Sequence, residues 1–111
     1  MDKLNRYREI IRQLIFEYAT HKPANGQIEP KAVIDSERDH YEVLHIAWDG
    51  VRRVHGSMVH IDIINHKVWI QYDGTSQPVA EALLEAGILR EDIVLGFHPA
   101  ELRQYTDFAV S

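Results

Sequence analysis

VHIDIINHKVWIQY, residues Val59 to Tyr72, alternates apolar and polar positions on either side of Asn65-His66, and predicts two antiparallel strands joined by a tight turn. Successive strand side chains point to opposite faces. With a two-residue turn, Ile64 lies opposite Lys67, and the pairs Ile63/Val68, Ile61/Ile70 and Val59/Tyr72 form one continuous apolar face. Asp62/Trp69 and His60/Gln71 fall on the other. Asn at the first turn position suits the positive φ of a tight hairpin, but Gly is missing from the second, which leaves a slightly longer loop open.

Working upstream, Tyr41 to Trp48 reads as a strand whose even positions Leu44, Ile46 and Trp48 are apolar. A return through Asp49-Gly50 sets those residues beside Val59, Ile61 and Ile63. Ala32 to Asp35 is a shorter strand, with Ser36 to Asp39 as its polar turn. Gly56 marks a bulge or a close approach within the return strand. The segments make an antiparallel meander with one face for the core.

Leu4, Tyr7, Ile10, Ile11, Leu14, Ile15 and Tyr18 recur at spacings of three and four, so Met1 to Lys22 is predicted to be a long amphipathic helix packed on that face. Asp2 favours its N-terminus, and Pro23 with Asn25-Gly26 ends it. After Asp73-Gly74-Thr75, a cap at Thr75 or Ser76 starts a second helix with the stripe Val79, Ala82, Leu83 and Ala86, which Gly87 terminates. Arg90 to Asp92 is a polar turn. Periodicity leaves residues 93–97 open between a strand and a helical turn. Pro99 begins a last helix of about two turns to Tyr105, and the apolar end Phe108-Ala109-Val110 docks on the body. The fold class is α+β, in one domain over residues 1–111.

A chain of 111 residues with 45% hydrophobic and 26% charged residues has the makings of one globular core, outside the disordered range. No apolar run is long enough for a membrane span, and the charged N-terminus does not resemble a signal peptide, so a cytoplasmic protein is expected. Cysteine is absent, which removes disulfides, thiolate metal sites and thiol nucleophiles. Twelve Lys+Arg against seventeen Asp+Glu give a net charge of −5, opposite to the basic face that displaces counterions from nucleic acid.

The arrangement His60-Ile61-Asp62-Ile63, Lys67-Val68-Trp69-Ile70-Gln71, Asp73-Gly74-Thr75, Asp92 to His98 and Tyr105 to Val110 resembles the cyanobacterial XisI family nearly end to end. Arg53-Val54 on the return strand belongs to the same resemblance. Ser76-Gln77-Pro78 departs from the family pattern, which has an acidic residue and a Gly there. The resemblance implies a controlling factor for excision of the fdxN element, a programmed DNA rearrangement in heterocyst differentiation. It also implies a companion, XisH, and brings no catalytic residues with it.

Three functions are compatible with these readings. The first is a non-catalytic accessory protein working through protein contacts. Its candidate interface is an apolar patch on the outer sheet face, formed by Trp69, Met58 and Ile64 beside His60 and Gln71, with Tyr41 nearby. A homodimer and a XisH-like companion are its expected partners. The second is direct DNA binding through Arg52, Arg53 and His55, which do not converge with Lys67 into one stripe; binding by the chain alone is not expected. The third is a metal-dependent enzyme at His60-x-Asp62, with His45 or His98 as further ligands. Seven histidines make that thinkable, but no spaced His motif, phosphate loop or nucleophile elbow is present. No enzyme activity, cofactor or metal is therefore expected, and a chelator should leave the fold unchanged.

Overall fold

A computed structural model describes residues 2–20 and 28–111. Five strands form one sheet in sequential order: β1 (Ile28–Asp35), β2 (His40–Asp49), β3 (Arg52–Ile64), β4 (Lys67–Asp73) and β5 (Ile93–Leu95). The first four are antiparallel neighbours, as the meander requires, and β5 adds in parallel beside β4. The α+β class is as expected. Residues 93–95 settle as a strand, entered through a 3-10 turn at Arg90–Asp92.

The long helix α1 (Lys3–Thr20) lies on one face, where Tyr7, Ile11 and Ile15 are buried against Tyr41, Val43, Val59, Ile61 and Ile70. Its first turn is capped by Asp2, whose carboxylate accepts the Asn5 amide at 2.8 Å. The expected stop at Pro23 and Asn25-Gly26 lies outside the described residues. Helix α2 (Val79–Ala86) buries Val79, Ala80 and Leu83 beside α1. Its cap differs from the expectation: neither Thr75 nor Ser76 caps it, and Asp73 accepts the Val79 amide at 2.8 Å. Gly87, at φ 110°, closes the helix in the left-handed conformation, and the Ile88 amide returns to the Leu83 carbonyl. The last helix, α3 (Ala100–Arg103), is a single turn and not two. Ala109 then bridges to Val94, so the C-terminal segment docks as its composition implied.

The hairpin at residues 59–72 has its two-residue turn, with Asn65 at φ 51° and His66 at φ 67°, and Ile64↔Lys67, Ile63↔Val68, Asp62↔Trp69 and Ile61↔Ile70 in the expected register. Beyond Ile61 the register changes. His60 faces Tyr72 and Val59 faces Asp73, so Gln71 is an extra residue on β4. Tyr72 consequently loses its place opposite Val59 and is half exposed.

A second bulge reverses the expected parity of β2. From Asp49↔Arg52 to Leu44↔Ser57 the pairing follows a plain two-residue hairpin, but Val43 then faces Val59. Met58 is the extra residue. One inserted residue flips every side chain beyond it relative to the partner strand, so Tyr41, Val43 and Ala47 are buried, while Leu44, Ile46 and Trp48 share the outer face. Gly56 stands two residues away, and a Cβ there would meet nothing within 4 Å. The close approach occurs instead at Gly96, where a Cβ would lie 2.7 Å from Gln71 and 3.0 Å from Trp69.

Candidate functional site

Two carboxylates hold the inner face and its edges together. Asp92, expected in a polar turn, is only 8% exposed and accepts the Tyr7 hydroxyl at 2.6 Å and the Lys3 ammonium at 3.0 Å. Burial by itself would raise its pKa, but these two donors bring the carboxyl below its ordinary value. Asp39 is half-buried and accepts from Arg8 Nε and Nη2, at 2.8 and 3.1 Å, and from the Tyr41 hydroxyl. Both arrangements tie α1 to the sheet and are fully accounted for by that duty.

The outer face divides into two halves. Toward β4 and β5, the C-terminal segment crosses it: Gly96 lies against Trp69, and the Arg103 guanidinium sits 4.9 Å from the Trp69 ring centre. Trp69 is therefore half-buried within the chain. Toward β1–β3, Val33 and Trp48 are 37% and 53% exposed, with Leu44 and Ile46 between them on the same face. The Arg53 guanidinium lies 4.7 Å over the Trp48 ring.

The five candidate interface residues are thus not one patch. Ile64 is exposed beside the turn, and His60 and Gln71 are half-buried near Trp69. Met58, as the bulge residue, packs against the core cluster on the helix side, and Tyr41 is fully buried there. The candidate basic group is more nearly together. Arg53 and His55 fall on the outer face opposite Trp48 and Ile46, whereas Arg52 faces Asp49 at the hairpin end with its guanidinium 3.6 Å from that carboxylate.

At the centre of the outer face, the same bulge assembles a cluster that the sequence did not disclose. His40 faces Asp62 and Glu42 faces His60 across β2 and β3. His40 Nδ1 and His60 Nε2 lie 3.0 and 3.1 Å from the same Asp62 oxygen, Oδ1. His40 Nε2 lies 3.2 Å from Glu42 Oε1, and Gln71 donates to Asp62 Oδ2 at 3.3 Å. Without the extra Met58, His40 and Glu42 would point to the core side and Asp62 away from it. Of the two histidines weighed as alternative further ligands beside His60 and Asp62, His45 stands on the helix side of β2 opposite Gly56, and His98 lies in the turn before α3.

A cleft of about 600 Å³ opens on the helix side, lined by Glu17, Tyr18, His45, Ser57, Met58 and Tyr72 among others. It brings no hydrogen-bonded set of titratable groups together. No described helix is long and apolar enough to cross a membrane.

Residues 1–110 match the model of a family described as XisI protein. Two solved structures from Anabaena variabilis are similar over nearly the whole chain. One, a XisI-like protein, is 37% identical with a TM-score of 0.91, covering 98% of this chain and 100% of its own. The other, the fdxN element excision controlling factor XisI, is 36% identical with a TM-score of 0.86, covering 99% and 100%. No curated protein matches the chain.

Proposed function

The chain belongs to the XisI family, and from that premise we propose that it is a controlling factor in excision of an fdxN-type DNA element, acting through protein contacts and not through catalysis. The observation that carries this reading is the open half of the outer sheet face, where Val33, Leu44, Ile46 and Trp48 line up with Trp48 more than half exposed. Such a patch, rimmed by Lys31, Arg53 and His55, has the make-up of a surface that a partner buries. A XisH-like protein is the companion the family implies, and a second copy of the chain is the other occupant. The interface is recentred from Trp69, which the chain covers with its own C-terminal segment, to Trp48.

The charge of −5 and the Arg52–Asp49 pair speak against DNA recognition by this chain alone. Co-expression with a XisH-like protein tests the proposal. A stable complex is expected, and Trp48→Asp should abolish it without loss of helical signal. Absence of a complex, together with salt-sensitive binding of duplex DNA that is lost in Arg53→Ala, would replace it with direct DNA contact through Arg52, Arg53 and His55.

A further inference from the structure

We propose that His40, His60 and Asp62 form a binding site for one divalent transition-metal ion of the zinc class, with Glu42 as the carboxylate that orients His40. The three donor atoms lie within 4.8 Å of one another, and they come from adjacent strands held by cross-strand pairing. Zinc bonds of about 2.0–2.1 Å place tetrahedral ligand atoms about 3.3 Å apart. Asp62 Oδ1 already stands 3.0 and 3.1 Å from the two imidazole nitrogens. Small rotations of the rings would seat an ion among them.

The hydrogen count of the cluster supports a cation. A neutral imidazole carries one N–H and can serve one carboxylate. His40 has a carboxylate at each nitrogen, Asp62 at Nδ1 and Glu42 at Nε2. Among the described residues the ion pairs of Glu42 and Asp62 are with histidines alone, and no Lys or Arg shares them. With one N–H on His40 directed to one acid, a cation at the other nitrogen would serve the second contact. The two rings converge on one oxygen, Asp62 Oδ1, with their centres 4.5 Å apart. A metal ion accounts for both rings and the carboxylate together.

The surrounding groups fit that assignment. Glu42 accepting from His40 Nε2–H leaves the Nδ1 lone pair for the ion, the carboxylate–histidine arrangement that fixes tautomer and ring orientation at metal sites. Gln71 occupies Asp62 Oδ2, which leaves Oδ1 as the single coordinating oxygen. Two imidazoles and one carboxylate suit zinc, cobalt, nickel or copper, and not magnesium or calcium, which take oxygen donors. The side chains are 35%, 27% and 20% exposed for His40, His60 and Asp62, so solvent reaches the remaining coordination position. This inference does not depend on the partner reading above, and it revises the expectation that the chain binds no metal.

Titration of chelator-stripped, full-length protein tests it, with Zn²⁺ alone followed by calorimetry and Co²⁺ alone followed by visible absorption. One ion per chain is expected, with the d–d bands of a four-coordinate Co²⁺ site and a higher melting temperature when loaded. His40→Ala and His60→Ala should each abolish saturable binding, and Glu42→Gln should weaken it by about 10–100-fold. His45→Ala and His98→Ala serve as folded controls that bind as the parent does. Absence of stoichiometric binding by the unmodified chain, or binding that survives both His40→Ala and His60→Ala, would overturn the proposal.

Discussion

Both faces of the sheet carry a row of large apolar side chains, yet they end in different states. On the inner face Tyr7, Ile11 and Ile15 of α1 bury Tyr41, Val43, Val59, Ile61 and Ile70 almost completely. On the outer face Leu44, Ile46 and Trp48 are as apolar, and only the β4 side, around Trp69, receives a cover from the chain itself. The difference shows that apolar content does not decide which face becomes the core. One inserted residue does, Met58, because it reverses the side-chain parity between β2 and β3 beyond it.

If the inner face carries the stability, its disruption should have the largest effect. Ile61→Ala removes a fully buried side chain opposite Ile70, and should cost about 2–5 kcal/mol in a urea titration. An unmoved midpoint would break the distinction between the faces at its root.

A smaller loss is expected where the helix meets the sheet edge. Tyr7→Phe leaves Asp92 with Lys3 alone, and should cost about 1–2 kcal/mol. Because the folded carboxyl titrates below its unfolded value, its contribution is complete above the unfolded pKa of about 3.9 and disappears as pH falls through the lower folded value. Denaturant midpoints measured from neutral to acid pH should therefore fall less steeply in Asp92→Asn than in the parent. An identical acid slope would remove Asp92 from the set of stabilising groups.

Trp48→Ala should do the opposite of Ile61→Ala. It should shift the stability of the isolated chain by no more than about 0.5 kcal/mol, while weakening association by about 2 kcal/mol if Trp48 is the centre of the contact. Sedimentation and chemical denaturation on the same sample separate the two quantities. A large loss of folding stability would make Trp48 a core residue and erase the contrast.

The smallest effect concerns the turn that sets the hairpin register. His66 holds φ 67° without being glycine, so His66→Gly should raise stability by up to about 1 kcal/mol. Asn65→Gly should be neutral or slightly stabilising, since Asn tolerates its φ of 51°. A destabilised His66→Gly would mean that the ring makes a contact more valuable than the relief of backbone strain.

The hairpin, the long helix and the left-handed cap at Gly87 are legible in the sequence because each has a local signature: alternation, a three-four repeat, a glycine after an apolar stripe. The parity of β2 is not. Tyr41, Val43 and Ala47 alternate with Leu44, Ile46 and Trp48, so both readings present an apolar face, and the plain hairpin count selects the wrong one. Met58 carries no bulge signature of its own, and the neighbouring Gly56 points only to the vicinity. The His40–His60–Asp62 cluster is hidden for the same reason, since it exists only after the parity change. His60 and Asp62 can be read from their spacing, but His40 and Glu42 cannot be placed with them. Trp69 reads as open to a partner because its cover is a tertiary contact, the return of Arg103 and Gly96 over its ring, which has no local signal in the sequence.

Sedimentation velocity of the chain mixed with a XisH-like companion, comparing the parent with Trp48→Asp, addresses the division of labour between the faces most directly. The parent should form a complex and the variant should not, while both keep the same helical signal and melting temperature. Equal complex formation by the two proteins, or a variant that fails to fold, would contradict a core on one face and a contact surface on the other.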